Sequence, residues 1–143
     1  MVMNALRPTE VGARAEAVEI LRQRHCRDGG WNYGSNSAKG VDLRGYAQTT
    51  AVALMALQGG PFELVEPGLR FLKLRWRDEP GGLTLAQTAL AFDLHGEREG
   101  DAVRDALETA FHRTAFMGNV LALGWATLAT SPVSLWGRLR RSG

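Results

Sequence analysis

Apolar positions along the chain recur at helical spacing, and no alternating or β-branched run of strand type interrupts them, so the pattern predicts an all-α fold. The first helix is expected after Pro8-Thr9 and runs to about Cys26, with Val11, Ala15, Val18, Leu21 and His25 on one stripe. Asp28-Gly29-Gly30 ends it, and a loop rich in Gly, Asn and Ser follows from Trp31 to Val41. A second helix, about Leu43 to Leu57, closes at Gln58-Gly59-Gly60-Pro61, where glycine can turn left-handed and proline cannot continue. The third is expected from Pro67 to near Arg77. The fourth opens on Thr84 and Gln87, the spacing of a capping box, and stops at Gly96. A charged turn, Glu97 to Asp101, leads into a fifth helix carrying Val103, Leu107, Ala110 and Phe111, and the sixth covers about Val120 to Ala129.

Odd-numbered helices carry charge on one side, whereas even-numbered ones are small, apolar and almost uncharged. Gln48 to Leu57 holds no charge at all. Each successive pair therefore reads as a hairpin with an outer helix facing water and an inner helix covered by its neighbours. Three such antiparallel hairpins are expected. The stops of the first two, Gly59 and Gly96, are 37 residues apart, a spacing typical of two-helix repeats.

Length and charge narrow the picture further. At 143 residues the chain is read as a single domain, residues 1–143, with a basic tail at 132–143. Removing Arg138, Arg140 and Arg141 from the 17 basic residues leaves 14 against 15 acidic ones, so the body is neutral and no nucleic-acid partner is expected. The single Cys26 cannot form an internal disulfide, and together with the lack of a signal-peptide core before Glu19 this places the chain in the cytoplasm. The uncharged stretch Thr114 to Gly137 is diluted by Asn119, Thr127, Thr130 and Ser134 and broken at Ser131-Pro132, so it reads as a buried helix and not as a membrane span. In the tail, Leu135, Trp136 and Leu139 among three arginines suit weak contact with a membrane surface.

Within this frame the inter-helix segments repeat. Ala17, Ile20, Leu21, His25, Gly29 and Trp31 correspond to Gly68, Phe71, Leu72, Trp76, Gly81 and Leu83. The segment Asp28-Gly29-Gly30-Trp31, followed by the inner helix from Gln48-Thr49-Thr50-Ala51, resembles the QW repeat of squalene and hopene cyclases, the prenyltransferase/squalene-oxidase repeat family. The resemblance covers residues 17–96. It departs from the family where His25 and Trp76 replace the repeat's Gln and Leu83 replaces its second Trp. It implies an α/α toroid around a hydrophobic hollow for isoprenoid chains. A closed ring takes about six hairpins, so three imply a partial toroid completed by self-association or a partner chain.

The chemistry of that family is absent from the sequence. Its cyclases use an Asp-x-Asp-Asp acid, but Asp28, Asp42, Asp78, Asp93, Asp101 and Asp105 are scattered, so no catalytic residue is assigned. His25 and Cys26 are neighbours whose side chains diverge by about 100° on a helix, so no metal site is expected, nor any cofactor. Gly29 and Gly30 answer a backbone need, a positive φ or a close approach. Trp31 and Tyr33 are expected to pack across neighbouring hairpins, with Asp28, Gly29, Gly30 and Trp31 forming the structural motif. Tyr46, Gln48, Phe92 and Trp125 lie on inner helices and are the expected contacts to an apolar, isoprenoid-like ligand. The alternative is a helical scaffold for protein–protein interaction without a lipid. A strand in the first hundred positions, or solvent against Ala47 to Leu57, is expected to overturn the lipid hollow.

Overall fold

The computed structural model describes residues 8–131, and the basic tail with its expected membrane-surface contact lies outside them. The fold is all-α. Its elements are α1 (Pro8–Gln23), β1 (Ser37–Ala38), β2 (Val41–Asp42), α2 (Ala47–Ala56), α3 (Phe62–Arg75), a 3₁₀ turn (Trp76–Asp78), α4 (Gly82–Leu94), α5 (Glu99–Thr114), a second such turn (Ala115–Gly118) and α6 (Val120–Thr130).

Helix α4 is the centre of the molecule. It packs against α5, α2 and α6, whereas α3 packs chiefly on α2. Every residue from Thr84 to Phe92 is buried, which fits a helix whose only charge, Asp93, comes at its end. The uncharged helices α2, α4 and α6 thus lie side by side, but α6 is not the buried helix expected: only Ala122 and Ala129 are buried, and Val120 and Leu121 at its start are exposed because no helix covers that face among the described residues. Charged α5 caps α4 with Val103 and Leu107, and charged α3 caps α2 with Leu64, Phe71 and Leu72. Gly59 and Gly96 end their segments at φ +67° and +70°, the left-handed conformation that a side chain disfavours.

Several expected boundaries shift. Helix α1 stops at Gln23, and Val11 and Ala15 of its stripe are exposed, because only Val18 and Leu21 reach the small cluster around Trp31. Helix α2 begins at Ala47 and not near Leu43, since Tyr46 is held extended by an antiparallel bridge to Trp31. Helix α3 starts at Phe62 and runs through Pro67, at the cost of one backbone hydrogen bond. The Thr84–Gln87 capping box does not form. Gly81 is the N-cap, both side chains are buried within the helix, and Gln87 Oε1 has no hydrogen-bond partner.

The expectation of no strand is corrected by the pair β1–β2, in which Ser37 faces Asp42 and Ala38 faces Val41. These four residues are exposed and sit within the long loop, where Gly40 at φ +76° makes the turn. They do not interrupt the helix row. Helix α4, at the middle of the molecule, is enclosed from Thr84 to Phe92 by its neighbours.

Candidate functional site

The Asp28-Gly29-Gly30-Trp31 segment is a packing device. The Asp28 carboxylate accepts hydrogen bonds from the Gly30 amide at 3.1 Å and the Gly45 amide at 2.9 Å, tying the two ends of the long loop together. Gly29 sits at φ +95°. A Cβ on Gly30 would stand 2.8 Å from Thr50 Oγ1 and 2.9 Å from the Phe71 ring, so no side chain fits there. Trp31 is 3% exposed; its indole N–H donates to the Leu21 carbonyl at 2.8 Å and its ring lies against His25. Its main-chain N–H donates to Thr50 Oγ1, and the Thr49 hydroxyl donates to its carbonyl. Beneath it, Cys26 is buried, and desolvation, followed by the charge of Asp28, pushes its thiol pKa up. Such a thiol holds little thiolate and is a poor nucleophile.

The four expected ligand contacts do not meet. Tyr46 lines a groove of about 550 Å³ with Tyr33, Arg44, Phe71, Arg75 and Glu79. Gln48 joins it indirectly, its Oε1 accepting from the Tyr33 hydroxyl at 2.8 Å. Arg44 stacks 5.1 Å from the Tyr46 ring centre, and Glu79 accepts from the Ala47 and Gln48 amides at the start of α2, where the helix dipole favours a carboxylate. Tyr33 is exposed on this groove and does not pack across hairpins. Phe92 is corrected from ligand contact to core: at 0% exposure it is enclosed between α4 and its neighbours. Trp125 is half-buried and packs against the same core.

The larger opening lies elsewhere, between α5 and α6. Its volume is about 630 Å³, within the range of small-molecule sites. Leu107, Phe111, Phe116, Leu123 and Ala126 supply apolar lining, and Asp101, Arg104, Asp105, Glu108, Thr127 and Thr130 supply polar groups. Positions 123, 126, 127 and 130 present one face of α6 to this groove, whereas Ala122 and Ala129 are buried in the core. Arg104 donates to both oxygens of Asp93 at 2.7 Å and also pairs with Asp101. Burial, the largest single influence on its pKa, lowers it, but the bonds to Asp93 and Asp101 outweigh burial and leave it raised.

The α5–α6 turn is strained. Ala115, Phe116 and Met117 stand at φ +45°, +51° and +53°, ahead of Gly118 at +72°. A left-handed conformation costs a non-glycine residue about 1–2 kcal/mol. The run drives Phe116 onto Gly82, where a Cβ would come within 2.5 Å of the ring, and leaves Met117 90% exposed. Met117→Gly is therefore expected to raise stability by about 0.5–1 kcal/mol once glycine's extra unfolded-state entropy is counted, as read from denaturant unfolding.

No family model, curated protein or solved structure matches the chain. The chemistry of the site therefore rests on its own residues. Among the described residues no group of three or more His, Cys, Asp and Glu could hold a metal ion, and no helix is long and apolar enough to cross a membrane. The α5–α6 groove has apolar walls, a rim of carboxylates and two hydroxyls, which equips it to bind. None of the residues lining this groove, Phe111, Phe116 and Leu123 included, was singled out by the sequence pattern as a ligand contact. The available signal was the bulk of Phe111 and Phe116 at the end of a charged outer helix, beside a wholly uncharged one.

Proposed function

We propose that the chain is a non-catalytic helical-hairpin domain that binds an apolar, isoprenoid-like ligand in the groove between α5 and α6. The observation that carries this reading is an open groove of about 630 Å³ walled by Leu107, Phe111, Phe116, Leu123 and Ala126. An elongated hydrocarbon would gain roughly 25 cal/mol for each Å² of apolar surface it buries there. The resemblance of residues 17–96 to the prenyltransferase/squalene-oxidase repeat supports the ligand class, as does the row of uncharged helices. The location differs from the hollow that the resemblance implies, because α4 is enclosed from Thr84 to Phe92.

A specific observation favours a second reading, a scaffold that packs against another protein. Met117, Val120 and Leu121 are exposed together around the start of α6, with Val120 81% exposed. Such a patch suits the next hairpin of a self-associated array or of a partner chain.

Two variants separate the readings. Phe111→Asp, at a half-exposed position on the groove wall, is expected to weaken binding of a neutral polyene probe at least tenfold with little change in unfolding temperature. Val120→Asp should leave probe binding intact. If neither protein nor variant retains the probe, and mass spectrometry after organic extraction finds no terpenoid, the ligand reading fails. Loss of self-association in Val120→Asp would then support the scaffold.

A further inference from the structure

The residues lining the α5–α6 groove are sorted by polarity along its length. Nearest the turn that joins the two helices stand Phe111, Phe116 and Leu123, all apolar. Toward the other end α5 presents Asp101, Arg104 and Asp105, and α6 presents Thr127 and Thr130. From Asp101 to Phe111 the α5 wall extends about 15 Å at the helical rise. A hydrocarbon alone gains nothing from a polar end. An amphiphile matches both halves, with its tail against the aromatic end and its head among the polar groups.

The polar end is sorted again by hydrogen-bonding role. Thr127 and Thr130 spend their hydroxyl protons within α6, on the Leu123 and Ala126 carbonyls at 2.8 Å each, which leaves their oxygens as acceptors. Asp101 gives one oxygen to Arg104, and Asp105 makes no ion pair among the described residues. Arg104 is the only cation on the lining, and its guanidinium is already held by both oxygens of Asp93 and by Asp101. Glu108, closer to the turn, reaches His112 at 3.5 Å, and α6 carries no charge. This end therefore offers acceptors and negative charge, while its one strong donor is spent. A head group that completes it must bring donors and a positive charge. A protonated primary amine brings both, with three N–H donors on one cation. A carboxylate head would meet the free charge of Asp105, and an alcohol brings a single donor and no charge.

We infer that the α5–α6 groove binds a long-chain primary amine, its hydrocarbon tail toward Phe116 and its ammonium between Asp105 and the threonines of α6. This assignment rests on the ligand reading of the same groove and names the head group that the hydrocarbon carries.

Four probes that share a ten-carbon tail test the head group: decylamine, decyltrimethylammonium, 1-decanol and decanoate, each titrated calorimetrically into the full chain at low salt and below its micelle-forming concentration. Decylamine should bind about fivefold more tightly than 1-decanol, a modest factor because the carboxylates are solvent-exposed, and decanoate should bind least. Decyltrimethylammonium, charged but without N–H donors, should fall between the amine and the alcohol. Asp105→Asn should bring decylamine close to 1-decanol and leave 1-decanol unchanged. Glu16→Gln, which removes the same charge from an exposed position on α1, should leave the amine preference intact. Raising the salt to about 1 M should weaken the preference, since screening then acts within about 3 Å. Equal binding of decylamine and 1-decanol, a preference that survives Asp105→Asn, or a quaternary probe held as tightly as the primary amine each overturns the assignment. If 1-decanol binds and Phe111→Asp releases it, the ligand reading stands even where the amine assignment falls; no binding of any probe to the folded protein defeats both.

Discussion

Replacing Trp31 with alanine is expected to lower the stability of the fold by about 3–5 kcal/mol, the range for deleting a buried large aromatic side chain. The indole lies among Leu57, Leu64 and Ala53, so its removal opens a void between α2 and α3. Neighbours cannot readily collapse into it. A Cβ on Gly68 would already stand 2.9 Å from the indole edge and 3.0 Å from Leu54, showing how closely the α3 backbone approaches. The substitution also strands the Leu21 carbonyl, which accepts the indole N–H, and loosens α1, whose other anchors include Val18 and the Arg14 bond to the Gln58 carbonyl. Urea unfolding measures the effect. A loss below about 0.5 kcal/mol would mean that Trp31 is not packed between the helices.

Phe92→Ala should cost a comparable 3–5 kcal/mol, because the ring is fully enclosed in the core around α4, where packing is densest and three helices converge. Phe92 also distinguishes core from site. As a ligand contact its loss would weaken probe binding in the folded protein; as a core residue it lowers the unfolding midpoint and leaves the binding constant of the folded fraction unchanged. The second outcome is expected. Against a typical total of about 5–15 kcal/mol for a natural domain, either substitution removes a large share of the stability.

The helices were legible in the sequence because their signals are local. An uncharged run such as Gln48 to Leu57 must be covered on at least one side, and it is: Thr50, Ala51, Ala53, Leu54 and Leu57 are buried, whereas Val52 and Ala56 face solvent. The glycine stops at Gly59 and Gly96 are backbone statements that hold in any tertiary context. Boundaries were less legible wherever a distant group intervened. Tyr46 is drawn out of a helix by Trp31, and the Thr84–Gln87 pair is diverted from capping into the interior. Helical spacing told Phe92 and Trp125 apart from outer-face residues, but it could not say whether an inner face meets a ligand or another helix.

By itself the sequence determined the all-α class, the alternation of charged and uncharged helices and the need for glycine at Gly29 and Gly30, since period, charge and backbone freedom belong to each segment alone. Only the tertiary structure decided where the open space lies. A groove exists where two helices part, and α5 and α6 part because a left-handed turn seats Phe116 on Gly82 while α5 and α6 each hold to α4. That outcome depends on how three helices share one neighbour, a property of their packing that no single stretch of residues encodes.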